Sequence, residues 1–499
     1  MSSIRVRIAP SPTGPLHVGT ARTALFNYLF AKHFGGTFVL RIEDTDLERS
    51  DKKYEKDIFD GLKWLGIEAD ESPERGGSHG PYRQSERIKT YKKHIQTLLT
   101  EGKAFYCFHS ENELAEEKEK LLAAKRPPIH ICEYRSLDPE EARILTETKS
   151  DFIIRFKTPS GRKIEFQDLI REKVSFDSEL LGDFSIAKRA NVPLYNFAVV
   201  VDDEEMDISH VIRGEDHISN TPKQLLLIEA LGFRTPQYAH IPMILGTDRS
   251  KLSKRHNATS VNEYREMGYL PETLFNFLAL LGWNSGTDKE LFTKEELIKE
   301  FSLEKVQKSG AIFDIQKLDW MNGEYIRKKS LPELVELSKP FLNGNQETKF
   351  PKGNLVSNDY IKKIIALEQP RLKKLSEIGE RTEYFFRAPQ YEKDLLRWKN
   401  MSDEEITASL DKSINILSNL ESHNVHLNAR TRVKMNISKE TLEETFLKEI
   451  GEGDKGRILW PLRAALTGQK ASPGPFEIME ILGIKKAMKR IKTAKDKIK

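Results

Sequence analysis

His17 and Gly19 stand where a proline-rich polar loop gives way to an apolar helix pattern. Free N–H groups and the helix dipole make such a start a place for phosphate. A second polar loop, from Gly246 to Arg255, carries Lys251, Ser253 and Lys254. Two lysines among Gly and Ser suit a loop that closes on the charge of a phosphate being transferred or released. Arg7 ends one strand-like stretch, Glu43 follows a second and Arg213 ends a third. Arginine forks match carboxylates bidentately, and a carboxylate matches an ammonium. Taken singly, each has a plain alternative: a solvated turn for the lysines, a surface ion pair for either arginine. Their joint order along the chain carries the argument.

The elements that must position these groups are legible. Ile4 to Ala9 alternates like a strand, and Pro10, Pro12, Gly14 and Pro15 force a loop. Ala21, Leu25, Tyr28 and Leu29 recur at helical spacing. Gly35 and Gly36 can end that helix, because glycine accepts the left-handed position after a helix. Phe38 to Ile42 reads as a second strand. Strand–helix–strand crossovers place ligands at the carboxyl ends of their strands. Farther on, Ala198 to Val201 reads as a buried parallel strand and Asp207 to Arg213 as another. Thr221 before Pro222 predicts a helix N-cap, with the helix running to about Leu231.

The loop R-I-A-P-S-P-T-G-P-L-H-V-G-T resembles the first signature of class I aminoacyl-tRNA synthetases, with Thr20 where the general pattern has a second His. Lys251-Leu252-Ser253-Lys254-Arg255 resembles the second signature in its Arg-ended form. The P-S-P-T-G lead-in and R-I-E-D-T-D are similar to bacterial glutamyl-tRNA synthetases. The resemblance implies ATP-dependent activation of L-glutamate, with Mg2+, and transfer to the 2′-hydroxyl of the terminal adenosine of tRNA(Glu). It implies His17, Gly19, Lys251, Ser253 and Lys254 as catalytic residues, and His17, Gly19, Lys254 and Asp216 at ATP. It implies Arg7, Ser11, Glu43, Tyr195 and Arg213 around glutamate, with Glu43 on the ammonium. Which arginine takes which carboxylate stays open. Val199 replaces an Asn found in some members and reads as core, and Asp216 has a helix-start cap as its alternative.

The implied fold is α/β: a Rossmann-like domain split by an inserted α/β domain and followed by an all-α anticodon-binding half. The expected partition is 1–102 and 193–250 for the catalytic fold, 103–192 for the acceptor-end insertion, 251–328 for a helical stem-contact domain, and 329–388 and 389–499 for two anticodon-binding domains. A chain of 499 residues exceeds one ordinary core of about 100–150 residues. Polar stretches at Asn343–Gln346, Pro351–Asn354 and Arg387–Pro389 mark boundaries. The net charge of +4 does not by itself indicate nucleic acid, so a basic face must supply that. No run reaches the roughly 18 apolar residues of a membrane span, and no signal pattern opens the chain. Two cysteines argue against a disulfide scaffold. The expectation is a cytoplasmic protein, monomeric as the family is.

Within the insertion, Glu111 to Arg126 reads as a solvated charged helix, and Phe152–Lys157 and Lys163–Phe166 as strands joined by a Pro159-Ser160-Gly161 turn. Cys107 and His109 flank that helix on one side, His130, Cys132 and Tyr134 on the other. Some members of the resembled family hold structural zinc here. Two readings stay open: a tetrahedral site closed by His130 with Cys132, or by Cys132 with Tyr134, or a degenerate site without metal. In the helical half, Gln369-Pro370-Arg371-Leu372 resembles the segment carrying an anticodon-reading arginine, with a solvated helix start as its alternative. The Lys-rich tail from Lys485 is either phosphate-binding or solvated.

Four other readings are weaker. Glutaminyl-tRNA synthetases typically have a β-barrel C-terminal half. The shorter enzymes that glutamylate a modified base lack the helical half. Small nucleotidyltransferases with an H-x-G-H loop need neither this length nor K-L-S-K-R. A non-catalytic RNA-binding protein would not need to keep His17, Glu43 and Lys254. Whether tRNA(Gln) is also charged stays open, and the resemblance implies that tRNA must bind before glutamate is activated.

Overall fold

The computed structural model describes residues 4–46, 48–149, 151–189, 192–253, 255, 258–342, 357–431 and 437–498, with side chains for all but 423–431. Lys254 and the expected boundary stretches at 343–346 and 351–354 lie outside them. Two compact units emerge: Met1–Arg265 with Pro271–Leu318, and Glu266–Leu270 with Asp319–Lys499. Among the described residues no helix is long and apolar enough to cross a membrane.

The first unit opens with β1 (Arg5–Ile8), α1 (Val18–His33) and β2 (Thr37–Leu40), and β1 pairs with β2 in parallel. The predicted crossover is thus present. Gly35 takes φ +63° after the C-cap Phe34, and a Cβ on Gly36 would meet the Ile4 carbonyl oxygen at 2.4 Å. All four β1 residues are buried, its two arginines included. Both engage carboxylates: Arg5 bonds Glu71 at 2.9 Å and Arg7 bonds Asp203 at 3.0 Å.

α2 (Lys52–Trp64) and α3 (Ile88–Thr100) precede the inserted stretch. It holds β3 (Ala104–Cys107), α4 (Glu111–Ala123), α5 (Pro139–Thr148), β4 (Ile153–Phe156), β5 (Lys163–Asp168), β6 (Glu172–Asp177), β7 (Ser185–Lys188) and β8 (Val192–Pro193). α4 buries no residue, as a solvated charged helix should, and starts on a Ser110–Glu113 capping box. β4 and β5 are both strands, but they do not pair. β4 lies between β3 and β7, whereas β5 pairs antiparallel with β6 and parallel with β10 (Gln237–Ile241). The turn at Gly161 therefore hands the chain from one sheet to another.

The expected parallel strand at Ala198–Val201 is instead part of α6 (Tyr195–Glu205). The run is apolar because this helix is buried on every side, from Phe197 to Asp203, and a short apolar run cannot tell a buried strand from a buried helix. β9 (His210–Gly214) is the strand expected before the Arg213 corner, and it pairs in parallel with β10. α7 (Thr221–Leu231) starts one residue earlier than predicted. Asn220 is its N-cap and Thr221 its first residue, because a 3-10 turn from Glu215 runs straight into it. Gly232 closes it at φ +71°. The short parallel pair β11 (Ile244–Leu245) and β12 (Ala311–Ile312) follows, and this part of the chain also forms α8 (Val261–Glu266), α9 (Pro271–Leu280), α10 (Lys294–Glu300) and α11 (Ile315–Lys328).

The second unit is helical, as read: α12 (Leu331–Leu342), α13 (Asn358–Glu368), α14 (Glu377–Phe386), α15 (Asp403–Thr431), α16 (Lys439–Ile450), α17 (Gly456–Thr467), α18 (Pro475–Leu482) and α19 (Ile484–Asp496). The Lys-rich tail forms α19, whose Ala487, Ile491 and Ala494 close the core formed with α15 and α17. Lys495 pairs with Asp411 at 2.6 Å, and Arg490 donates to the Leu466 carbonyl at 2.6 Å. One face of the tail is thus structural, neither phosphate-facing nor solvated.

Candidate active site

At the carboxyl ends of β1 and β9 a cavity of about 610 Å³ opens. Arg7, Ser11, His17, Gly19, Glu43, Tyr195, Arg213, Asp216 and Lys251 all line it. Leu252, rather than Ser253, joins Lys251 in the lining, and Ser253 is half-buried. Arg7 and Arg213, 206 positions apart in sequence (213 − 7), meet here because β1 and β9 lie side by side, tied by the Ser209 N–H to the Arg5 carbonyl at 2.9 Å.

His17 is the N-cap of α1, and its Nδ1 accepts the Gly19 N–H at 3.0 Å. A nitrogen that accepts carries no proton, so Nε2–H is the donor left over. Burial lowers the His17 pKa, and the nearby Lys251 charge lowers it further. The ring is therefore a neutral donor beside the helix start, the form suited to phosphate oxygens. The loop after β11 is brought to this point by backbone bonds. Val18 N–H donates to the Thr259 carbonyl at 2.8 Å and Val261 N–H to Leu16 at 3.0 Å, so the two signature segments form one wall. Lys251 Nζ stands 3.7 Å from Asp216 Oδ2 and stays 68% exposed.

The other wall is a buried ionic lattice. Arg7 forks onto Asp203 with bonds of 3.0 and 3.1 Å, and Arg41 Nη1 reaches the same carboxylate at 2.9 Å. Arg41 also faces Asp202 at 3.4 Å and Glu43 at 3.6 Å. Glu43 is nearly enclosed, and burial pushes its pKa up to about 7 despite the two arginines. Among the described residues Arg213 has no ion pair with a carboxylate. Its Nε and Nη2 go to His240 and Thr221, and its buried Nη1 has no hydrogen-bond partner among the described residues. Tyr195 Oη lies 3.0 Å from His217 Nδ1. Val199 is buried in α6, as core.

Several lining or supporting residues escape the sequence reading. Arg22 lines the cavity from α1 while donating to the Leu281 and Pro242 carbonyls. His217 lines it from the turn before α7, and burial brings its pKa down to about 4. Asp202 and Asp203 follow directly on the apolar run of α6. Two adjacent carboxylates at the end of such a run were the available signal for buried ion pairs.

Away from the cavity, ligand atoms of Cys107, His109, His130 and Cys132 all lie within 4.8 Å of one another. Cys107 Sγ is 3.5 Å from His109 Nδ1 and 3.8 Å from His130 Nε2, and Cys132 Sγ is 3.7 Å from His109 Nδ1. Tetrahedral zinc with bonds of about 2.0–2.3 Å has ligand–ligand edges of about 3.3–3.8 Å, so the donor set fits. His130 Nδ1 bonds Glu117, the kind of outer carboxylate that orients a ligating imidazole. Tyr134 packs beside Cys107 and Cys132. Its ring packs edge-on against Phe108 and His109.

In the second unit Arg371 ends a 3-10 turn after α13. Its side chain is 29% exposed, and Nη1 stands 3.9 Å from the buried Glu368.

The split parallel sheet, the cavity at its strand ends and the helical second unit define a class I tRNA synthetase architecture. Comparison with known proteins agrees. The family described as tRNA synthetases class I (E and Q), catalytic domain, matches residues 3–320, and the anticodon binding domain family matches 333–495. The chain belongs to this family. It is 47% identical to a glutamate–tRNA ligase of Carboxydothermus hydrogenoformans, over 98% of this chain and 99% of that one. A glutamate–tRNA ligase of Sulfurihydrogenibium sp. is 46% identical over 98% of each. Among solved structures, a glutamate tRNA ligase of Elizabethkingia meningosepticum in complex with its amino acid superposes with a TM-score of 0.86, at 34% identity and over the whole of both chains.

Proposed function

We propose that this chain activates L-glutamate with ATP and transfers the glutamyl group to the 3′-terminal adenosine of tRNA(Glu). In the first step a glutamate carboxylate oxygen attacks the α-phosphorus, and the bond to pyrophosphate breaks. In the second, the 2′-hydroxyl attacks the acyl carbon and AMP leaves. The observation that carries the reading is the cavity itself: Arg7 and Arg213, the enclosed carboxylate of Glu43 and a helix start bearing a neutral imidazole donor share one space.

Free glutamate brings two carboxylates and one ammonium. Arg7 and Arg213 take the carboxylates, Glu43 the ammonium, and Ser11 and Tyr195 add hydrogen bonds. His17 Nε2–H and the N–H groups around Gly19 face the phosphates, where charge develops in the transition state. Lys251, with Ser253 and Lys254, serves the leaving pyrophosphate, and Asp216 serves ATP beside Lys251. Magnesium, when bound with ATP, shields phosphate charge. Cys107, His109, His130 and Cys132 would hold zinc, which ties the end of β3 to the segment after α4. Metal analysis of the purified chain should find one zinc per molecule, and Cys132→Ala should lose it. Arg371 reads the anticodon, and the protein works as a cytoplasmic monomer.

The test is charging with labelled glutamate on purified tRNA(Glu) and tRNA(Gln) separately. Charging of the first alone is the expected result. Charging of both would keep the chemistry and overturn the specificity, and charging of neither by folded protein would overturn the reading.

A further inference from the structure

Arg213 owes its place to a chain of buried groups that runs away from the cavity. Its Nε donates to His240 Nε2 at 3.1 Å and its Nη2 to Thr221 Oγ1 at 2.8 Å. Its guanidinium lies 5.4 Å over the Tyr238 ring, which is parallel to the His240 ring within 4°. An imidazole nitrogen accepts from arginine only when it carries no proton. The proton of neutral His240 is therefore on Nδ1, and Nδ1–H donates to Asp168 Oδ2 at 2.6 Å. Asp168 is pinned in turn. Its Oδ1 accepts the N–H groups of Ile170 at 2.9 Å, Arg171 at 2.7 Å and His240 at 3.3 Å. The side chains of His240 and Asp168 are fully buried.

We propose that Asp168 and His240 are positioning residues for Arg213: the carboxylate fixes the imidazole tautomer, and the imidazole lone pair aims the guanidinium so that Nη1 is left for an amino-acid carboxylate. The inference rests on reading Arg213 as a carboxylate binder. Packing alone is weak ground for the arrangement, since a buried carboxylate is costly to desolvate and replacing buried charged groups by apolar residues of the same volume is often neutral or stabilising. Burial lowers the His240 pKa, the Asp168 bond opposes it and the Arg213 charge lowers it again. The net direction is down, which preserves the accepting lone pair. The three residues sit on the adjacent strands β5, β10 and β9, and Asp168 ends a strand within the insertion. The insertion thus reaches the amino-acid site through one carboxylate.

Asp168→Asn tests this. The amide keeps its oxygen for the Ile170 and Arg171 N–H groups and turns its NH2 toward His240 Nδ1. The imidazole proton then moves to Nε2, where it opposes the Arg213 donor. The expected result is a KM for glutamate raised about tenfold, with KM for ATP unchanged. Arg213→Lys, which lacks the Nε–H, should raise the same KM, and adding Asp168→Asn to it should change little further. A full additional tenfold in the double variant would overturn the positioning role and leave Arg213 as binder. No effect of Arg213→Lys alone would instead overturn the reading of Arg213. Should Asp168→Asn fail to fold, His240→Gln and His240→Asn decide. The Gln oxygen reaches the Nε2 position and should keep KM near that of the unaltered protein, whereas the Asn oxygen falls short and should raise it. Equal KM values would overturn the proposal.

Discussion

Glu43 shows what burial does to a single group at this site. Its carboxylate has lost most of its water, and Arg41 and Arg7 only partly compensate, so its pKa stands at about 7. A protonated carboxyl cannot pair with the ammonium of glutamate. The free protein must therefore lose this proton before it binds. Since the pKa is raised, binding is weak below about pH 7 and strengthens as pH rises through it. The expected profile of kcat/KM for glutamate climbs tenfold per pH unit on the acid side and levels above about pH 7. Glu43→Gln should lower the plateau and remove this inflection. A profile with the same inflection in that variant would assign the titration to another group. Burial and the Lys251 charge lower the His17 pKa, so its titration lies on the acid side of its ordinary value.

At the scale of elements, α6 does the most to shape the site. It was legible as buried and illegible as a helix, because Ala198–Val201 lies between Phe197 and two acids that are themselves buried. Periodicity disappears when every face is covered. By contrast β1, α1 and β2 were readable, since α1 ends at the Gly35 that its left-handed φ demands and the proline-rich loop isolates it from β1. The acids at the end of α6 hold the neighbouring elements. Asp202 accepts from Gln84 at 2.8 Å, Arg87 at 2.6 Å and Tyr91 at 2.8 Å, and it faces Arg41. Removing it leaves two buried guanidinium groups without that counter-charge. Asp202→Ala should cost about 3–5 kcal/mol of stability in urea unfolding, the range for breaking a buried pair. Asp202→Asn keeps an acceptor for Arg87 and Tyr91 and should cost less. If the two variants lose the same amount, the charge rather than the hydrogen bonds sets the value.

At the scale of the molecule, the residues proposed for chemistry and the residue proposed for tRNA reading fall in different compact units, so their roles are separable by mutation. The cavity residues could be named from sequence because each stands at a strand end or helix start next to a short motif. Their supports, Asp203, His240 and Asp168, were not named, since each makes its contact with an element far away in the chain and no local pattern identifies the partner, even where the adjacent acids of α6 signal burial. Arg371 sits between these cases. Its motif is local, but its chemistry depends on Glu368, which burial holds above the ordinary carboxylate range and which accepts from Tyr384 Oη at 3.3 Å. Arg371 could serve a base edge, or it could serve only to neutralise that carboxylate. A good arginine contact to a base edge is worth about 1–3 kcal/mol, so Arg371→Ala should lower kcat/KM for tRNA(Glu) by about 5–150-fold, with KM for ATP unchanged. The same loss would follow if the variant merely stranded a buried charge and loosened the α13–α14 corner. Glu368→Gln separates the two. It removes the charge and keeps an acceptor for Tyr384, so by itself it should leave charging intact. Arg371→Ala in that background should still lose tRNA(Glu) if the arginine reads a base. Recovery of charging in the double variant would make Arg371 an ion-pair support and move the search for the reading residue elsewhere in the helical unit.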